Sequence, residues 1–296
     1  MTAASERFAS AGISEPDVSA RCLMAHVLSS DTLNLPKRLV RTALTEEQRR
    51  LFDSLCAKRL RRMPVQYVVG RWDFHHISVK CEPPVLIPRP ETEELVELIL
   101  EEVRRSVRGE RALHLLDVGA GTGAIGLALL KQLPTARCTA IDLSPHAVRL
   151  ASANAATLSL ADRYKCLQAD MLTFEPPDDE RYDLIVSNPP YIPTAEIPTL
   201  QPEVRDYEDS GALDGGADGM FFIRSLASRM AAFLKPHGQG GMRQVWLETD
   251  SSHPEVLQGA VAKRDGSGDF GGRVVSMQWW RDLGGHSRFV RLDMAE

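Results

Sequence analysis

The chain has 296 residues, enough for one large or two modest domains with a substantial core, and its 43% hydrophobic and 25% charged residues are ordinary for a globular protein. A net charge of −5 argues against a protein that coats nucleic acid, and no apolar run approaches the ~20 residues of a membrane-spanning helix, so neither nucleic acid nor membrane is an expected partner. Five cysteines, odd in number and without a C-x-x-C pair, fit a reducing compartment and offer no metal site.

The charge is uneven: residues 1–85 carry 13 Lys and Arg against 9 Asp and Glu, so residues 86–296 hold −9. Arg50, Lys58, Arg61 and Arg62 belong to one helical stretch, where a solvated face explains them better than a partner-binding one. The N-terminus has no secretory apolar core, and Glu6, Glu15 and Asp17 make it a poor transit peptide.

In chain order, residues 1 to about 63 read as helical. Val18, Cys22, Ala25 and Val27-Leu28 keep a helical spacing, and Leu44, Leu51, Leu55 and Leu60 keep it again. Thr45 with Glu46, Glu47 and Gln48 has the form of a capping box, and Asn34-Leu35-Pro36 breaks the run before it. Arg71 to Val79 alternates as a strand or hairpin with one irregular step at His75. Pro83-Pro84 and Pro88-Arg89-Pro90 bracket a connector, after which Pro90, Glu91, Glu93 and Glu94 start a helix running to about Arg105. The expected division is a small helical domain over 1–70, a hairpin linker over 71–90 and an α/β domain over 91–296.

From Ala112 strands are expected near 113–118, 137–142, 164–169, 183–187, 244–248, 273–280 and 287–292, with helices near 124–133, 145–158, 219–234 and 253–262. That alternation implies an α/β fold with a doubly wound parallel sheet, whose last two strands form an antiparallel hairpin. His237-Gly238-Gln239-Gly240-Gly241 is richer in glycine than a helix-to-strand turn requires.

Three strand ends carry chemistry. LHLLDVGAGTG (113–123) is a strand, an acid and a loop of Gly119, Ala120, Gly121, Thr122 and Gly123, where glycines let backbone approach a ligand. Its G-x-G-x-G spacing differs from the dinucleotide G-x-G-x-x-G, although Gly126 can be forced into that pattern. Asp142, nineteen residues after Gly123, can accept both hydroxyls of a ribose. Asp170 can accept from an adenine amino group while Met171 packs on the ring. Each residue alone is compatible with a strand-end cap, but in order they point to a nucleoside without a phosphate partner, S-adenosylmethionine, with Asp117 helping to position its amino-acid end.

The fourth strand ends in Ser187-Asn188-Pro189-Pro190-Tyr191-Ile192. An ordinary turn would also use Asn and Pro. The functional reading is a two-acceptor clamp: the Asn188 side-chain oxygen beside the donor-free, rigid Pro189 backbone suits a planar –NH2 group, with Tyr191 as a flat face for stacking. That group can be a protein amide or the exocyclic amine of a nucleic-acid base; the acidic charge and the lack of a basic, aromatic-rich arm favour the amide. A non-catalytic binding protein and a dinucleotide oxidoreductase are weaker readings, since the clamp and glycine loop are intact and no Tyr-Lys or His-Asp pair stands out.

DVGAGTGAIGLAL (117–129), SNPPYI (187–192), LIPRPETEELVE (86–97) and ALDGGADGM (212–220) together resemble the HemK/PrmC family of release-factor glutamine methyltransferases over nearly the whole chain. The resemblance implies a class I S-adenosylmethionine-dependent methyltransferase domain behind a small helical domain. It also implies methylation of the glutamine amide in the Gly-Gly-Gln loop of a class I release factor. By position, Gly119 to Gly123, Asp142, Met171 and Asn188 would contact the cofactor, and Asn188, Pro189, Pro190 and Tyr191 the glutamine. Met171 replaces an aromatic residue and Glu208-Asp209 a Glu-Pro of the bacterial pattern, and Pro236 to Gln244 is longer than the family's turn. RMPVQYVVGRWDF (62–74) and YEDSGALDGG (207–216) look more like the animal mitochondrial branch. A mitochondrial release factor is therefore the expected partner, a mitochondrial location is expected over a cytoplasmic one, and a monomer is expected.

Overall fold

The computed structural model describes residues 1–30, 43–107, 111–236, 241–262 and 273–296. The N-terminal part holds α1 (Thr2–Ser10), α2 (Pro16–Val27), α3 (Glu46–Leu60) and α4 (Val65–Val69). The capping box at α3 is complete: Thr45 Oγ1 accepts from Gln48 N at 3.1 Å, and Gln48 Oε1 accepts from Thr45 N at 3.0 Å. Phe8, Leu23, Phe52, Leu55, Val65 and Val68 make the core between these helices. The break expected at Asn34-Leu35-Pro36 lies outside the described residues. Helix α4 was not expected, because five residues are too few to display a helical period; Gly70 ends it at φ 75°.

Strands β1 (Arg71–Phe74) and β2 (Ile77–Lys80) pair antiparallel around His75-His76. The irregular step is thus the turn itself: both histidines have positive φ, 38° and 65°, as a tight hairpin turn requires. The strain of a bulky residue there is offset by bonds to the next helix, α5 (Pro90–Ser106). Glu93 accepts from His75 N at 2.9 Å, and Glu97 meets the His75 ring at 3.1 Å. Helix α5 buries Leu95, Val96, Ile99, Leu100 and Val103, a spacing that keeps one face inward.

The sheet contains β3 (His114–Val118), β4 (Arg137–Asp142), β5 (Tyr164–Gln168), β6 (Leu184–Ser187), β7 (Gln244–Glu248), β8 (Val274–Arg281) and β9 (Ser287–Met294). Their order is β5-β4-β3-β6-β7-β9-β8. Strands β3 to β7 run parallel to their neighbours, whereas β9 is antiparallel to both β7 and β8. The mostly parallel α/β sheet with an antiparallel edge is the architecture that the alternation implied. Helices α6 (Ala124–Gln132) and α7 (Pro145–Thr157) follow β3 and β4, and α9 (Phe221–Arg229) and α10 (His253–Ala262) lie on either side of β7 in the chain. Both faces of the sheet are covered, so β3 and β6 are buried throughout.

The helix expected over 219–234 is α9 followed by a 3-10 turn over Met230–Phe233. Ahead of it, residues 193–216 form short turns around α8 (Pro202–Arg205). Arg62, expected on a solvated face, instead turns inward: Arg59 and Arg62 hold Glu203 of α8 at 2.9 and 2.6 Å. Of the glycine-rich stretch, residues 237–240 lie outside the described residues, and β7 beyond it keeps its parallel register with β6. Among the described residues no helix is long and apolar enough to cross a membrane.

Candidate active site

The strand order reverses between β3 and β6, so the chain leaves their carboxyl ends in opposite directions and a crevice opens. A cavity of about 410 Å³ occupies it. Gly119 and Gly121 form part of its wall, both in the left-handed region at φ 77° and 54°. Gly123 turns inward, where an added Cβ would lie 2.9 Å from Tyr164 Oη. Ala120 and Thr122 are buried behind the loop, and the Thr122 carbonyl accepts from Asn154 Nδ2 at 2.9 Å. Asn154 Oδ1 also accepts from Lys80 N at 2.8 Å, so one buried amide pins the glycine loop to the hairpin.

Asp117 sits beneath the loop and is absent from the cavity wall. Its Oδ2 accepts from Gly126 N at 3.0 Å and its Oδ1 has no partner among the described residues, while burial pushes its pKa up to about 7. A Cβ at Gly126 would meet that carboxylate and Cys138 Sγ at 3.0 Å, so Gly126 answers to packing rather than to a dinucleotide.

Asp142 ends β4 on the cavity wall, and its two oxygens accept from Gly121 N and Ser144 N, both at 2.8 Å. Each oxygen keeps a second lone pair for a ligand hydroxyl. Burial raises its pKa, opposed by those two backbone donors. Asp170 and Met171 stand on the same wall, and Asp170 Oδ1 accepts from Leu172 N at 2.8 Å.

Asn188 and Pro190 also line the cavity, beside Gly119, and Ser187 Oγ ties the end of β6 to Val118 O at 2.7 Å. Asn188 Nδ2 donates to Thr92 Oγ1 at 3.4 Å; Thr92 donates in turn to Glu248 Oε2 at 2.6 Å. Tyr191 Oη donates to the other oxygen, Glu248 Oε1, at 3.1 Å. Burial drives the Glu248 pKa up against these two hydroxyls and the charge of Arg288, and burial with the Glu248 charge raises that of Tyr191. Among the described residues no hydrogen bond is donated to the Pro189 carbonyl.

The segment 212–220 clasps this loop from outside. Ile192 N donates to Leu213 O at 3.0 Å and Gly215 N to Ile192 O at 2.8 Å. A Cβ at Gly219 would lie 2.2 Å from Tyr191 O. Side chains there would push the Asn-Pro-Pro-Tyr backbone away.

Residues 1–70 match the PrmC N-terminal domain family, and residues 93–199 match the methyltransferase small domain. The human MTRF1L release factor glutamine methyltransferase is 39% identical over 96% of this chain and 83% of its own length. The chain belongs to the release factor glutamine methyltransferase family. The family's member from Caulobacter vibrioides is 40% identical over 85% of this chain and 83% of that protein, and the one from Deinococcus radiodurans 36% over 98% and 96%.

The wall fits S-adenosylmethionine: open glycine backbone, a carboxylate at Asp142 with lone pairs to spare, and a polar and an apolar group at Asp170 and Met171. Of the residues the sequence pointed to, Gly119, Gly121, Asp142, Asp170, Met171, Asn188 and Pro190 meet in one cavity, with Tyr191 braced behind them. Sequence reasoning missed Val85 and Leu86 of the connector, and Asp209. These are held there by Asp209 N donating to Pro84 O at 2.7 Å and Arg89 to buried Glu208 at 2.6 Å. It also missed Thr92 and Glu248. The available signals were Thr92 inside the Pro-Arg-Pro-Glu-Thr-Glu stretch and an acid at the carboxyl end of a strand.

Proposed function

We propose that this protein transfers a methyl group from S-adenosylmethionine to the side-chain amide nitrogen of the glutamine in the Gly-Gly-Gln loop of a class I release factor. We further propose that the factor is mitochondrial, that the protein acts in the mitochondrion, and that it works as a monomer. The observation that carries the reaction is Asn188 on the same cavity wall as Gly119, Gly121 and Asp142, followed by a Pro189 carbonyl with no hydrogen-bond donor among the described residues. The mitochondrial assignment rests on residues 62–74 and 207–216.

The cofactor supplies a methyl group already activated on a sulfonium, so its departure needs no acid. The difficulty lies with the amide nitrogen, whose lone pair is delocalised into its carbonyl. Asn188 Oδ1 and the Pro189 carbonyl each accept one of its N–H bonds, which holds the nitrogen still and directs its lone pair at the methyl. As the new C–N bond forms, the nitrogen becomes cationic and both N–H groups become stronger donors. The same two acceptors therefore bind the transition state more tightly than the ground state. The S–CH3 bonding pair would stay on sulfur as a neutral thioether, and one N–H proton passes to water, giving the neutral methylamide. Near-attack positioning of this kind can supply roughly 7–11 kcal/mol.

The test is incorporation of labelled methyl from S-adenosylmethionine into a purified mitochondrial release factor and its loop Gln→Ala variant. Label in the first and none in the second is expected. Label in neither, with label in co-purified nucleic acid, overturns the substrate in favour of a base amine. Faster labelling of a bacterial release factor overturns the mitochondrial assignment.

A further inference from the structure

We infer that Thr92 and Glu248 are positioning residues that fix which end of the Asn188 amide faces the substrate, through a one-way hydrogen-bond chain from Asn188 to Thr92 to Glu248. This rests on the reading of Asn188 as an acceptor for the substrate amide.

An Asn side chain has two nearly isosteric ends of opposite function: Oδ1 accepts and Nδ2 donates. A half-turn about its last torsion exchanges them at little steric cost. A reversed Asn188 would aim N–H at the substrate's own N–H and abolish the clamp. The identity of the two ends must therefore be set by whatever binds the far one.

That partner is Thr92 Oγ1, 3.4 Å from Asn188 Nδ2. A hydroxyl can donate or accept, so Thr92 alone would not choose. Glu248 chooses for it. Ser187 pairs with Leu247, so Asn188 and Glu248 emerge side by side from neighbouring strands. The Glu248 residue is 1% exposed. Burial raises its pKa, and the two donated hydroxyls and the Arg288 charge oppose that; ionised, Glu248 can only accept, and it receives Thr92 Oγ1 at 2.6 Å and Tyr191 Oη at 3.1 Å. Thr92 has one proton, and it goes to Glu248. Only its lone pairs remain for Asn188, so Nδ2 turns toward Thr92 and Oδ1 away from it. Arg288 contributes a neighbouring positive charge that favours the carboxylate; Arg288 itself bonds Asp282 at 2.9 Å. The second hydroxyl, from Tyr191, holds the other carboxylate oxygen and stops Glu248 from rotating out of the chain.

A structural alternative has Glu248 and Thr92 simply satisfying each other in a buried corner, and variants separate the two. Thr92→Val keeps the shape and removes the relay; Thr92→Ser keeps the hydroxyl. Glu248→Gln lets an N–H donate to Thr92, which frees the Thr92 proton for Asn188 and reverses the amide. The full-length protein is used throughout, with cofactor affinity and thermal unfolding measured beside single-turnover methyl transfer. Thr92→Val and Glu248→Gln are each expected to lose roughly 100-fold in methyl transfer, the scale of a misplaced reacting group. Thr92→Ser should stay within a few-fold of wild type, and cofactor affinity within about threefold in all three.

The deciding readout is binding rather than turnover. Loaded with S-adenosylhomocysteine, the wild type should prefer a Gly-Gly-Gln loop peptide to its Gly-Gly-Glu counterpart. In Glu248→Gln that preference should narrow at least about tenfold, because a reversed Asn188 now donates to a carboxylate. Wild-type activity in Thr92→Val, or equal losses in Thr92→Val and Thr92→Ser, overturns the relay while leaving the clamp standing. Full activity in Asn188→Ala instead removes the clamp reading itself. If Glu248→Gln does not fold, the Thr92→Val and Thr92→Ser pair decides.

Discussion

On the side of the cavity proposed for the nucleoside, the ligand-facing groups are held by backbone: Gly119 and Gly121 turn within one loop, and Asp142 is held by backbone groups of Gly121 and Ser144. On the amide side the wall is assembled from afar, since Asn188 bonds Thr92 across 96 residues and Thr92 bonds Glu248 across 156. Elements that fold locally present contacts that act one at a time, so a change there should weaken binding by about one contact. A side chain aimed by other side chains from three segments should instead lose alignment as a unit, and rate should suffer before affinity.

The sharpest way to break this contrast is Asn188→Ala. Methyl transfer should fall by at least about 1,000-fold, while cofactor affinity, measured calorimetrically, should change by less than about fivefold. Equal losses in both would show that the two sides are one site. Next in size is Gly219→Ala, whose Cβ would lie 2.2 Å from Tyr191 O at a residue with φ 73°. Its methyl transfer should fall by roughly 100-fold although Gly219 bears no reacting group, and cofactor binding should persist. On the other side, Asp142→Ala should weaken cofactor binding by about 10- to 100-fold, one or two lost hydrogen bonds to ribose. Transfer at saturating cofactor should recover to within about tenfold of wild type.

A change outside the cavity wall concerns Asp117, which supports the loop from below. Its carboxyl ionises at 3.8 when free but holds its proton to about 7 when buried. Folding therefore costs more as pH rises through that window, and nothing extra below it. Asp117→Asn removes this dependence, so its stability relative to wild type should improve by about 2–3 kcal/mol between pH 5 and pH 8. Urea unfolding of the cofactor-free protein at the two pH values measures it; a flat difference would place a partner on Asp117 Oδ1.

This division also explains what could be read from the amino acids. The alternation from His114 onward gave the sheet, because buried parallel strands are uninterrupted apolar runs bounded by turn residues. Gly119, Asp142, Asp170 and Asn188 were visible because each lies at or just beyond the carboxyl end of a strand, and strand ends are where such sheets bind ligands. Asp117 was legible as an acid but not in direction: a residue inside a strand can point to either face, and here it faces the core under Gly126. Thr92 and Glu248 could not be joined from spacing at all, since nothing local relates a helix's first turn to the end of β7. Residues 193–216 have no periodicity to read, and they are held by contacts to distant segments such as Arg59 and Arg62 to Glu203 and Arg89 to Glu208.

The most direct measurement is a crystal structure of the protein with S-adenosylhomocysteine and a Gly-Gly-Gln loop peptide. The account predicts the glutamine amide nitrogen within hydrogen-bond distance of both Asn188 Oδ1 and the Pro189 carbonyl, with Asn188 Nδ2 still on Thr92. A glutamine whose carbonyl oxygen meets Asn188, or whose nitrogen lies beyond reach of the Pro189 carbonyl, would contradict it.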